Sequence, residues 1–267
     1  NIIKKNAKNL IIISEKKNNL LFNLSKKLNL FFVQHKNYIG GRYSVLSEVG
    51  VVPAYLMGLD IFQLRSKLLD FLKDKNKKLL RDSTIYLSEI LNTKKKNNLI
   101  FLNYSPELDK LLYWCQQLIA ESLGKKGKGF LPIVSKVPKD HHSLLQLYLE
   151  GPKDKIFYIF SADTKSKLKI NINKSVDKKN YLNKKLLGTI KNAQRNAMIK
   201  TLKKNKIPFR EFKIKNLEEK TIGMFFSYFI LETIFIGKLS NINPFNQPAV
   251  EQVKKNTKKL LNQNYQK

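Results

Sequence analysis

Twice along the chain an apolar run, a stretch with helical spacing and a second apolar run follow one another, and this repeat constrains the fold more than any other feature. Asn9 to Ser14 (Asn-Leu-Ile-Ile-Ile-Ser) is β-branched, residues 18 to 28 have helical spacing, and Leu30-Phe-Phe-Val33 is apolar again. Asn98-Leu-Ile-Phe-Leu-Asn103, a helix from about Pro106 to Leu123, and Phe130-Leu-Pro-Ile-Val134 repeat the pattern. Strands without polar alternation are buried on both faces, so the spacing predicts an α/β protein with parallel strands covered by helices. Between the two repeats, residues 60 to 95 carry apolar residues at helical spacing (Ile61, Leu64, Leu68, Leu72, Leu79, Leu87) and read as a helical connector. Strands at Ile156–Phe160, Leu168–Ile172 and Phe209–Phe212, with helices near 183–204, 217–236 and 248–263, complete the second domain. One strand pair is too little for an independent sheet, so the first domain is expected to be cut off at its amino end.

Charge narrows the function less than its size suggests. The net charge is +31, but only five of 51 basic residues are arginine, and the lysines fall in pairs and triplets such as Lys77-Lys78, Lys94-Lys95-Lys96 and Lys203-Lys204. Nucleic-acid readers favour the arginine fork with aromatics interleaved, so these lysines read as solvated faces with no specific nucleic-acid partner. A single cysteine, Cys115, excludes an internal disulfide framework and fits a reducing compartment. The apolar run Ile222–Leu231 stops at Glu232, short of the ~20 residues that span a bilayer, so no membrane helix is expected. The chain opens on Asn1 with no basic and apolar leader, which reads as a fragment without a signal peptide.

Four segments carry chemistry. Gly40-Gly41-Arg42-Tyr43-Ser44 follows a strand and opens a helical stretch, which would project Arg42 into the crevice at the carboxyl end of a parallel sheet. In the helix ending at Gly124, Gln117 and Glu121 lie four apart and share one side. Asp140-His141-His142-Ser143 opens a helix, Leu144 to Leu149, with Asp140 as expected N-cap. Adjacent histidines point about 100° apart and cannot chelate one metal in the i, i+4 manner, so no metal site is expected. Asn243-Pro-Phe-Asn-Gln-Pro248 leads through a capping Asn or Gln into the last helix, with Lys254 on its second turn. Taken singly, each segment also fits a turn, a cap or a surface residue.

Together and in this order, the segments Gly40–Ser44, Gln117–Gly124, His142–Gly151 and Asn243–Lys254 resemble the glucose-6-phosphate isomerase family, aldose-ketose isomerases built from two sugar isomerase (SIS) domains. The resemblance implies two three-layer αβα sandwiches with parallel sheets. Residues 1–58 would be the carboxyl-terminal part of the first SIS domain, 59–95 a helical connector, 96–245 the second SIS domain and 246–267 the helix carrying the lysine. It implies Glu121 as catalytic base, His142 and Lys254 as ring-opening groups, Arg42 as the cation beside the reacting carbons, and Gln117 and Gly41 as substrate contacts. It further implies a sugar phosphate substrate, no cofactor, a cytoplasmic homodimer with shared active sites, and a phosphate-cradling loop upstream of Asn1. Asn246, where the family often has Asp, and Pro248-Ala249, in place of Trp-Gly, depart from its pattern. A non-catalytic SIS module that binds sugar phosphates is the alternative reading.

Overall fold

A computed structural model describes residues 7–163, 167–172 and 180–264. The chain forms two compact units: Asn1–Leu80 with Glu218–Leu231, and Arg81–Leu217 with Glu232–Lys267. The class is α/β with parallel sheets, as the apolar strands predict.

In the first unit β1 (Ile11–Glu15) and β2 (Phe31–His35) pair in parallel, Ile11 opposite Phe31, joined by α1 (Leu20–Lys27). The Asn19 side chain caps α1 by accepting from the Phe22 amide at 2.9 Å, one of the donors a helix start leaves unpaired. A 3₁₀ turn, Gly41–Leu46, leads into α2 (Glu48–Leu56), and Asp60 caps the short α3 (Ile61–Arg65) through the Gln63 amide at 3.0 Å. The long α4 (Asp74–Thr93) follows in the chain and precedes the second repeat. The amino-terminal part of α8 (Glu219–Leu239) packs in the first unit, its Ser227 hydroxyl donating to the Leu68 carbonyl and Tyr228 meeting Phe71 edge-on at 5.0 Å. The approach requires Gly223, because a Cβ there would stand 1.8 Å from the Leu64 carbonyl oxygen.

The second unit holds a four-stranded parallel sheet in the order β4 (Leu131–Lys136), β3 (Asn98–Asn103), β5 (Lys155–Ala162), β6 (Phe209–Ile214). The crossovers are α5 (Asp109–Leu123) from β3 to β4, α6 (Lys139–Glu150) from β4 to β5, and α7 (Leu187–Lys204) from β5 to β6. The first crossover runs one way along the sheet and the other two run back, so right-handed connections place α5 on one face and α6 with α7 on the other. Side-chain alternation agrees. Ile100, Leu102, Phe157 and Ile159 join Tyr148 of α6 and Met198 and Leu202 of α7 in one buried cluster. The opposite face stacks Phe101 on Tyr158 at 5.9 Å and Phe160 on Phe212 at 4.7 Å. Covered on both sides, β5 is buried at all its positions.

Three expectations need correction. Leu168–Ile172 joins neither sheet and is not a regular strand; among the described residues it folds back on 184–187 through an isolated bridge, Lys169 to Leu186, and a few backbone bonds such as the Lys184 amide to the Ile170 carbonyl at 2.8 Å. Asp140 is not the N-cap of its helix, which starts at Lys139 behind Pro138. Its carboxylate instead reaches back, accepting from the Lys136 amide at 2.8 Å and the Ser135 hydroxyl at 3.0 Å, and so fixes the β4–α6 turn. Finally, α8 runs 21 residues and reaches a mean hydropathy of 1.5 over its most apolar stretch, long and apolar enough by itself to cross a membrane. Its polar residues fit a core helix: Glu232 is buried and accepts from Arg210 Nη1 at 2.8 Å and from the Ser83 hydroxyl.

Candidate active site

In the first unit Arg42 sits in the 3₁₀ turn after β2 and is 5% exposed, its guanidinium 5.2 Å from the Tyr43 ring centroid. The turn is held by the Ser44 hydroxyl, which donates to the Gly41 carbonyl at 2.7 Å, and by the Tyr43 amide on the Gly40 carbonyl at 2.9 Å. A Cβ on Gly41 would meet nothing within 4 Å, so packing does not require glycine there.

In the second unit Glu121 lies half-buried in the last turn of α5, one helical turn beyond exposed Gln117. Gln117 Nε2 donates to Glu121 Oε1 at 3.1 Å and so helps orient the carboxylate. That carboxylate lines a cavity of about 980 Å³ whose far wall is Asn243, Asn246 and the start of α9 (Pro248–Asn264). Because α5 runs back against the strands, its carboxyl end brings the cavity to the amino-terminal edge of the sheet.

A tight turn closes the cavity's floor. Lys125 and Lys128 exchange backbone hydrogen bonds at 3.0 Å each way, with Lys126 and Gly127 between them both at positive φ, 55° and 66°. This is the two-residue turn in which glycine at the second position avoids a Cβ penalty. Its lysines pin the chain leaving α8, a helix end that attracts cations. Lys125 Nζ donates to the Asn243 carbonyl at 2.6 Å, Lys126 Nζ to that of Asn241 at 3.0 Å and Lys128 Nζ to that of Ser240 at 3.3 Å. The segment leading to Lys254 is thereby tied to the helix end carrying Glu121. Composition alone reads these lysines as solvated; the alternation Gly124-Lys-Lys-Gly-Lys-Gly129 is the signal that marks them out.

Lys254 falls on the second turn of α9, exposed and 2.9 Å from Glu251 Oε1. Its ammonium holds the Glu251 carboxyl below the usual carboxylate range. His142 is exposed on α6, and its neighbour His141 is the packed one, with Nε2 3.0 Å from the Tyr104 hydroxyl. Burial holds the His141 imidazole below its usual range, partly opposed by Asp140. The cavity thus gathers Glu121 and the entry to the Lys254 helix. His142 is on a helix that covers the other sheet face, and Arg42 belongs to the first unit. Among the described residues no three His, Cys, Asp or Glu side chains are grouped to hold a metal ion. Cys115 is fully buried in α5, and burial pushes its thiol well above the usual range.

The fold and the cavity define an α/β protein with parallel sheets and a carboxylate–amide pair set at the mouth of a pocket. No family model matches the chain. It is 35% identical over 268 residues to the glucose-6-phosphate isomerase of Mycoplasmopsis pulmonis, a match that covers 96% of the chain and 62% of that relative. It is 31% identical over 236 residues to the glucose-6-phosphate isomerase of Methanocaldococcus jannaschii, covering 84% of the chain and 57% of the relative. The solved structure of a hypothetical protein from Thermus thermophilus superposes with a TM-score of 0.85 at 25% identity, over 97% of this chain and 64% of that one. A glucose-6-phosphate isomerase structure from Chlamydia trachomatis, at 17% identity and a TM-score of 0.77, shares the fold over 96% of this chain and 53% of its own. The chain is thus similar to glucose-6-phosphate isomerases along nearly all its length and spans about three fifths of the length of these curated relatives.

Proposed function

We propose that the protein interconverts glucose 6-phosphate and fructose 6-phosphate, with Glu121 shuttling a proton between C2 and C1 through an enediolate. The observation that carries this reading is the Glu121 carboxylate, held by Gln117 at 3.1 Å in a sugar-sized cavity bordered by the helix of Lys254, in a chain related to isomerases of this name. Closed-ring substrate needs a proton moved to its ring oxygen, the task of His142 and Lys254. The open aldehyde then presents an acidic C2 proton to Glu121. Arg42, permanently charged, stabilises the enediolate, a contribution whose loss costs about 3–4 kcal/mol in comparable sites. Residues 1–58 and 96–245 are on this reading the remainder of one SIS domain and a second one, in a cytoplasmic protein.

The position of His142 supports a homodimer with shared sites. It is exposed on the sheet face opposite Glu121's helix, where it serves a neighbouring copy better than its own. Mixing Glu121→Gln with His142→Ala protein tests this. Each variant alone is inactive, whereas random pairing in a symmetric dimer rebuilds one good site in every mixed pair and restores about a quarter of the activity. A mixture no more active than its components contradicts shared sites.

A further inference from the structure

The Glu121 cavity shares Gly124, Gly127 and Lys128 with an adjoining concavity of about 400 Å³ at the amino-terminal edge of the sheet. Lys94 and Lys96 complete its basic lining, and no carboxylate residue lines it. Each ammonium has three donors. Lys96 Nζ uses one on the Lys153 carbonyl at 2.7 Å, and Lys128 Nζ uses two, on Asn92 Oδ1 at 2.7 Å and the Ser240 carbonyl at 3.3 Å. Lys94 Nζ has no partner among the described residues, although a Cβ on Gly127 would stand only 3.6 Å from it. Asp154 touches the rim through Asn98 Nδ2 at 2.9 Å, but Lys155 engages it at 2.7 Å and holds its carboxyl below the usual range. Gly127 leaves its backbone uncovered beside Lys94 Nζ, whereas Gly124 and Gly129 are closed against the Ala120 carbonyl and against each other. Uncompensated cations in a concavity focus positive potential where a small anion can enter.

We propose that this concavity is an oxyanion site for a phosphoryl group, separate from the Glu121 cavity and independent of whether Glu121 acts as the base. The cationic lining suits phosphate oxygens, whether the source is inorganic phosphate or the phosphate of a small ester. The test titrates the whole chain with inorganic phosphate, and in parallel with glycerol 3-phosphate, at ionic strength matched with potassium chloride. Calorimetry gives affinity, and amide shifts of Gly124, Gly127 and Gly129 give location. Saturable binding that moves these amides and weakens about tenfold in Lys94→Gln, the loss of one charge-assisted hydrogen bond, supports the site. Binding in only one arm identifies the source. Affinity unchanged in Lys94→Gln but lost in Lys126→Gln, which lines only the larger cavity, overturns the proposal. So does the absence of saturable binding in both arms from a chain whose amide spectrum is that of the folded protein.

Discussion

The two sheets are built from the same strand–helix–strand grammar, yet they hold their strands very differently. In the second unit β5 is buried throughout and Phe160 is 0% exposed, because helices cover both faces. In the first unit β1 and β2 are half-exposed, and Phe31 is 68% exposed. An apolar run therefore encodes a strand but not its burial, which depends on how many strands and helices the topology stacks around it. Burial in turn decides where a substitution is felt.

The largest stability effect is expected at the centre of the four-stranded sheet. Phe160→Ala removes a ring stacked on Phe212 and edge-on to Phe101, and denaturant unfolding should show a loss of about 3–5 kcal/mol. Phe31→Ala, the same truncation on the two-stranded sheet, is expected to change stability by no more than about 0.5 kcal/mol. Equal costs at the two positions would break the comparison.

A smaller, pH-dependent effect sharpens it. Burial keeps folded His141 neutral below its ordinary titration range, while the unfolded chain's imidazole takes up a proton near pH 6.5. The unfolded state then binds more protons, so stability should fall as the pH drops below about 6.5, until folded His141 itself titrates. His141→Asn should flatten that segment of the stability profile; an unchanged slope would assign the dependence to other groups.

What can be read from the residues follows the same division. Asn98–Asn103 and the helix ending at Gly124 are legible because a continuous apolar run and a 3.6-residue period are local signals. Leu168–Ile172 has strand-like alternation but pairs only with the short segment 184–187 and joins neither sheet, a property of topology rather than of the segment. Asp140 resembles an N-cap because caps are short-range statistics; its bonds to Ser135 and Lys136 depend on the strand before it. The link from Ser83 to Arg210 and Glu232 joins residues more than a hundred positions apart and leaves no local trace. At the site, spacing places Gln117 beside Glu121, and order along the chain points to the helix of Lys254. The lysine turn at 125–128 is masked in the composition, where lysine is everywhere, and shows only in the alternation of lysine with glycine from 124 to 129.

The proton shuttle assigned to Glu121 is tested most directly by following isomerisation of glucose 6-phosphate in deuterated water, comparing the protein with Glu121→Gln. Removal of the base should cut fructose 6-phosphate formation by about 10²–10⁴-fold and abolish deuterium entry at the exchanging carbon, with thermal unfolding unchanged. Turnover and deuterium entry near those of the unsubstituted protein would contradict the assignment.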